Sequence, residues 1–387
     1  MKSVWTLVFC SLYAILNAQY NPDKPNLCQG QFYTPEQAKA KLNELSSLYE
    51  DASTWEAHAA RLRQGILDGA EITTLQFNRE VQPVIHSKKI ANGYTVENVY
   101  FESVPGLYVT GNLYRPADLK GKVPGILCPH GHGQDGRFQE YTQQRCATLA
   151  RMGAVVFAYD MIGMGDSKQC DHKLSKAFKF QLLNSVRALD FLSSLPEIDT
   201  NRLAITGESG GGTQTFMLTA VDPRIDVAVP VVMVSAHFFG GCICESGMPV
   251  HKRPDHQTNN AEIAALAAPR PLLLISDGAD WTALNPELEY PFIRRIYTFY
   301  HAEDRIKNDH FAEEKHDYGP NKRLAAYHFL AKFLGLDPYK VMKDGIIDES
   351  VNAVFSPEAL SVFDDAHRIP ASAAQGNAQV LQALDAY

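Results

Sequence analysis

Beyond residue 16 this chain has no apolar run long enough to cross a bilayer, no basic stripe or long lysine and arginine run, no internal repeat and no low-complexity stretch. The first absence leaves residues 4–16 as the only membrane candidate, and that run falls short of the ~20 residues a spanning helix needs. The second, with a formal net charge of −8, removes the lysines and arginines that would neutralise phosphates and so excludes nucleic acid as a partner. Cysteine is sparse at seven residues, too few to replace a hydrophobic core, and spacing alone assigns no pairing. Cys242 and Cys244 are too few and too close for a four-ligand structural zinc site. Packing or a local disulfide is expected of them, and no metal. Also missing is a Gly-Lys-Ser/Thr ending after the glycine-rich turn at residues 159–167, which excludes a phosphate loop there. No cofactor is expected.

What is present begins with Met1-Lys2, the apolar run and Asn17-Ala18-Gln19, the charge, apolar core and small-residue order of a secretory leader. Export to the periplasm or medium with loss of residues 1–18 is the expectation. Phe9 is too large for the small residue that a lipoprotein site at Cys10 would need. Next, Thr34-Pro35-Glu36-Gln37 marks a helix start: Thr34 caps, Pro35 suits the first position and Gln37 closes a capping box. Ala38, Leu42, Leu45 and Tyr49, then Trp55, Ala59, Leu62 and Ile66, recur at helical spacing before a stop at Gly69. Residues 19–80 are therefore expected as a two-helix appendage packed on the main body, because an apolar helix stripe is usually core.

From Tyr94 the period becomes two, with Val96, Val99 and Phe101 in one strand and Leu107, Val109 and Leu113 in the next, an antiparallel hairpin over Pro105-Gly106. Short apolar strands at residues 125–128, 154–159, 202–206, 227–233 and 271–276 then alternate with helices, one near residues 181–192. This is the α/β pattern of a doubly wound, mostly parallel sheet. It spans residues 81–337, with an insert at 237–260. Residues 338–387 form an extension of weak periodicity whose tail, 371–387, is either a helix or unstructured.

The central motif is Gly207-Glu208-Ser209-Gly210-Gly211, a serine between glycines, directly after a strand and before an apolar helix. A turn this sharp strains the serine backbone and leaves no room for side chains on either flank, so Ser209 is the expected nucleophile rather than part of a plain tight turn. A serine hydroxyl needs a base, and in sheets of this kind the acid and the histidine follow the nucleophile in chain order. Asp280 lies in the loop after the strand at 271–276, while Asp277 follows that strand so closely that it is expected to hold the turn. The base is expected in Lys315-His316-Asp317-Tyr318-Gly319, between an edge strand near 305–311 and a final helix at 322–334. His316 is preferred, and the rival His310 lies inside the strand. The oxyanion donors are expected from the backbone N–H of Gly210 and of His132 or Gly133 in Pro129-His130-Gly131-His132-Gly133, with His130 bracing that loop. A metal on His130 and His132 would lack an acidic third ligand at recognisable spacing. The turn at 159–167 is read as packing near the site.

Together the stretches CPHGHG with Gly136-Arg137-Phe138, YDMIGMGDS, GESGGGTQTF, GGCICESGMPVH, AAPRPLLLISDGADWT and HDYGPNKR resemble the bacterial acetyl xylan esterase and pectin methylesterase group of α/β-hydrolases, over roughly Thr34 to Leu336. The resemblance implies a serine esterase that removes acetyl or methyl groups from a plant polysaccharide or oligosaccharide, with Ser209, Asp280 and His316 as the triad. Some relatives take the acid from the preceding strand, which makes Glu245 in the insert the alternative. A serine peptidase of the same fold and a non-catalytic carbohydrate-binding relative compete with this reading. The presence of all three triad residue types argues against the binding protein. A peptidase commonly carries a large domain restricting entry, and the appendage is too small for one. Arg137, with His251, Lys252 and Arg253 in the insert, is expected to hold the carboxylates of an acidic polymer, neutral acetylated xylan being the alternative substrate.

Overall fold

The computed structural model describes residues 32–77, 79–133 and 135–387, so the expected leader lies outside the described residues. Helix α1 (Pro35–Ser46) starts where its residues dictate: Thr34 Oγ1 accepts from the Gln37 amide and Gln37 Oε1 accepts from the Thr34 amide. Asp51 and Thr54 repeat the device at α2 (Ala52–Gly69). Ala38, Leu42, Trp55, Leu62 and Ile66 are buried in the same apolar cluster as the main sheet. The stripes therefore pack on the body, each large side chain contributing about 1.5–3 kcal/mol of burial.

Three antiparallel strands follow, β1 (Val84–Ala91), β2 (Tyr94–Glu102) and β3 (Tyr108–Pro116). The alternation then runs β4 (Val123–Leu127), α3 (Glu140–Arg151), β5 (Val155–Tyr159), α4 (Ala177–Ser194), β6 (Ile198–Glu208), α5 (Gly210–Val221) and β7 (Val227–Val231). After β7 the insert forms α6 (Ile243–Ser246) and a small hairpin of β8 (Lys252–Arg253) and β9 (His256–Gln257), leading to α7 (Asn260–Ala265). The sheet resumes with β10 (Leu272–Asp277), α8 (Glu289–Thr298), β11 (Ile306–Phe311) and α9 (Pro320–Leu334).

These strands make one sheet in the order β1-β2-β3-β5-β4-β6-β7-β10-β11, parallel from β5 to β11. Strands β5 and β7 are buried at every residue, as strands covered by helices on both faces must be. Because β4 sits between β5 and β6, the chain winds one way to β5 and the other way from β6. The loops after β4 and β6 are thereby neighbours at the carboxyl edge, the crevice where such sheets bind ligands.

One feature departs from expectation, and one that was open is decided. The hairpin does not open the sheet, because β1 precedes it. That strand has no alternating pattern, since none of its residues is buried and it breaks register between His86 and Lys89, with Ser87 at φ 52°. The chain beyond α9 also folds, as the hairpin β12 (Met342–Lys343) and β13 (Ile346–Ile347) and the helices α10 (Pro357–Leu360) and α11 (Gly376–Asp385). It lies back over the body, burying Leu360, Val362, Val380 and Leu384. Among the described residues no helix is long and apolar enough to cross a membrane.

Candidate active site

Strand β6 ends at Glu208, and the next residue, Ser209, has its backbone at φ 54°, ψ −121°. That left-handed conformation costs a non-glycine residue about 1–3 kcal/mol and persists only where the surroundings impose it. Here the Ser209 amide donates to Val231 O (3.0 Å), and its carbonyl accepts from Thr213 (2.9 Å) as α5 begins. The flanking glycines are required by the neighbouring loop. A Cβ on Gly207 or Gly211 would lie 2.4 or 2.6 Å from the Pro129 carbonyl oxygen.

Across the edge, Asp280 Oδ2 lies 2.6 Å from His316 Nδ1, while its Oδ1 accepts from both the amide and the hydroxyl of Thr282 at 2.6 Å. The histidine loop is bolted to the nucleophile strand, since the Tyr318 hydroxyl meets Thr206 Oγ1 at 2.7 Å. Buried Lys322 joins that loop to the acid's loop through Asp317 (3.2 Å) and Asp277 (3.0 Å). Asp277 thus holds the turn, and burial raises its pKa. His310 faces Ser276 Oγ at 2.9 Å. Glu245 is buried, which raises its pKa, and its oxygens accept from the Thr213 hydroxyl (3.2 Å) and the Cys242 amide (3.0 Å).

The loop after β4 is held by a residue that sequence reasoning passes over. Glu208 Oε1 accepts from the Gly131 amide (2.8 Å) and the Tyr141 hydroxyl (2.9 Å), and Oε2 lies 3.2 Å from Arg145. The Gly131 amide is thereby engaged, and His132 and Gly133 follow it in the loop. His130 is buried, which lowers its pKa, and it braces the loop by contacting Gly131 O (2.8 Å) and accepting from the Met161 amide (3.0 Å).

Ser209 opens into a cavity of about 310 Å³ lined also by His132, Phe238, Gly241, Cys242, Glu245 and Trp281, at the lower end of the range for small-molecule sites. Phe238 stacks on Trp281 at 3.9 Å, and Trp281 packs against His316 at 4.7 Å. The insert thus supplies one wall. Its cysteines form no local disulfide: Cys242 and Cys244 are free thiols.

The expected cationic mouth is corrected. Arg137 is fully buried, its guanidinium spent on Asp160, Asp166 (2.6 Å) and Asn112 (2.7 Å). The turn at 159–167 is therefore a buried ion-pair anchor rather than simple packing. His251 is also fully buried, stacked on Phe239 at 4.8 Å with Nε2 2.7 Å from Asn260 Oδ1, and burial brings its pKa down to about 4. Lys252 stands over the Phe32 ring at 5.7 Å, and Arg253 donates to Gly65 O and Pro249 O. Among the described residues, none of these four lines the cavity.

The solved structure of methylesterase BT1017 is 42% identical to this chain, with a TM-score of 0.84, covering 90% of this chain and 78% of that one. The chain belongs to the same family of α/β-hydrolases as that methylesterase. Residues 106–289 of this α/β-hydrolase also match the model of the X-Pro dipeptidyl-peptidase (S15) family. Human dipeptidyl peptidase 8 is 34% identical over 147 residues, but the chain spans only 16% of its length. A glucuronoyl esterase from Solibacter usitatus (15% identical, TM-score 0.55, 73% of this chain and 93% of that one) and an acetyl xylan esterase from Paenibacillus sp. R4 (17%, 0.50, 78% and 100%) share the fold with this α/β-hydrolase.

Proposed function

We propose that this α/β-hydrolase is a serine esterase that removes methyl groups from the esterified sugar acids of a polysaccharide. The observation that carries the reading is the strained Ser209 at the cavity, on the same sheet edge as the Asp280–His316 pair. In this mechanism His316, oriented by Asp280, takes the Ser209 proton as the hydroxyl attacks the ester carbonyl. The amides of Gly210 and of His132 or Gly133 meet the oxyanion, each donor contributing about 3–4 kcal/mol. Methanol leaves with the proton returned by His316, and water activated by the same histidine frees the sugar acid from Ser209.

The 42% identity to a methylesterase favours methyl over acetyl. A methyl-esterified sugar acid is uncharged at the group cleaved, so burial of Arg137 and His251 takes nothing from this substrate. Export, expected from residues 1–18, belongs to the same proposal. The match to the X-Pro dipeptidyl-peptidase family over residues 106–289 supports a second reading, release of an aminoacyl-proline dipeptide by cleavage of the bond after the proline. The test is mass-spectrometric measurement of methanol and acetate released from methylated and acetylated plant polysaccharides, beside an aminoacyl-prolyl anilide, with wild type and Ser209→Ala. Methanol lost in the variant is expected. Anilide cleavage without ester cleavage would replace the esterase with the peptidase.

A further inference from the structure

Three loops converge beside Ser209 on a set of donors that ester hydrolysis does not use. His132 comes from the loop after β4, His172 from the loop after β5, and Cys242 and Cys244 from the insert; their ligand atoms all lie within 4.8 Å of one another. The Nε2 atoms of the two histidines are 3.1 Å apart. His132 Nε2 lies 3.2 Å from Cys244 Sγ, and His172 Nε2 lies 3.1 Å from Cys242 Sγ and 3.4 Å from Cys244 Sγ.

The tautomer of His172 follows from its other side. Nδ1 is 2.7 Å from the Ile162 carbonyl oxygen, which only accepts, so Nδ1 carries a proton and Nε2 is the nitrogen turned into the cluster as a ligand atom. A carbonyl holding the far nitrogen is the arrangement that orients histidine ligands on metals. Bond lengths of ~2.0–2.1 Å to nitrogen and ~2.3 Å to sulfur set tetrahedral edges of about 3.3–3.8 Å. The separations of 3.1–3.4 Å between these atoms are those edges contracted by a few tenths of an ångström.

We propose that His132, His172, Cys242 and Cys244 bind one zinc ion in a closed tetrahedral site. Two thiolates and two imidazoles in that geometry select zinc among the divalent metals. Binding releases the two thiol protons. With every position filled by protein, the ion has no place for a reactive water, and the nucleophile remains Ser209. Its role is to hold loops. His132 belongs to the oxyanion loop, and its ring packs so closely on the elbow that a Cβ at Gly210 would lie 2.6 Å from its Cε1. Cys242 is in the cavity wall. Zinc thus ties the oxyanion loop to the insert, 112 residues away at Cys244.

The test needs no ester substrate. The full chain, purified without chelator, is equilibrated with micromolar zinc and passed over a desalting column before its metal is measured by native mass spectrometry and elemental analysis. One zinc per chain is expected in wild type, falling at least tenfold in Cys242→Ser with Cys244→Ser. Cobalt(II) in place of zinc should give the intense thiolate-to-cobalt absorption of a tetrahedral site, which reads the donors in wild type should the variant fail to fold. Zinc below about 0.1 per chain in reduced wild type, a Cys242–Cys244 disulfide that blocks uptake, or undiminished zinc in the double variant would each overturn the proposal. Failure of the esterase reading would leave the metal content unchanged.

Discussion

Asp280 and His316 meet at 2.6 Å with unequal exposure, the carboxylate side chain 3% accessible and the imidazole 33%. A buried acid behind a half-open base orients the ring and supports its positive form during proton transfer. Asp280→Asn should therefore lower methanol release by about 10³–10⁴-fold, whereas Glu245→Gln, whose partners are Thr213 and the Cys242 amide, should cost less than about tenfold. Turnover of the two purified variants decides it. A reversed ranking would move the acid to Glu245.

Ser209 is stored strain. Ser209→Gly removes the nucleophile and relieves a left-handed backbone at φ 54°, so it should abolish hydrolysis while raising stability by about 1 kcal/mol or more. Calorimetry beside the ester assay measures both. A variant less stable than wild type would show that the elbow is not strained.

Arg137 serves stability and not substrate. Its removal leaves the buried Asp160 carboxylate, and the half-buried Asp166 beside it, without their cation, so Arg137→Ala should cost about 3–5 kcal/mol in chemical denaturation. Any activity left should fall alike on neutral and acidic polymers. Selective loss on the acidic polymer would restore it as a substrate ligand.

Glu289 makes the fold sensitive to pH. Burial pushes its pKa up to about 7 from 4.5, although it accepts a hydrogen bond from the Ala236 amide at 2.8 Å. The folded state then holds a proton that the unfolded chain has released, so stability present below pH 4.5 is lost as pH rises towards 7. Glu289→Gln should gain on wild type by about 2–3 kcal/mol between pH 4.5 and 8. Parallel pH profiles would show that Glu289 ionises normally.

Features encoded by near neighbours were legible without coordinates. The Thr34–Gln37 capping box, the hairpin over Pro105-Gly106 and the strand–Ser209–helix turn each depend on residues a few positions apart, where local geometry decides the outcome. The loops of Asp280 and His316 could likewise be located by their position after particular strands. Strand β1 escaped notice because its irregular register leaves no period, and the chain between α9 and α11 because its few buried residues lie on short elements. Only the winding of the sheet determined which distant charges meet. Arg137 looks like a surface cation in sequence, yet β3 and the loop after β5 enclose it with Asn112, Asp160 and Asp166. Glu208 gains Arg145 and Tyr141 from α3, and Cys242 and Cys244 gain two histidines from the loops after β4 and β5. Burial and long-range pairing are properties of the neighbours a residue acquires, and those neighbours are set by the reversal of strand order around β4, which no local spacing records.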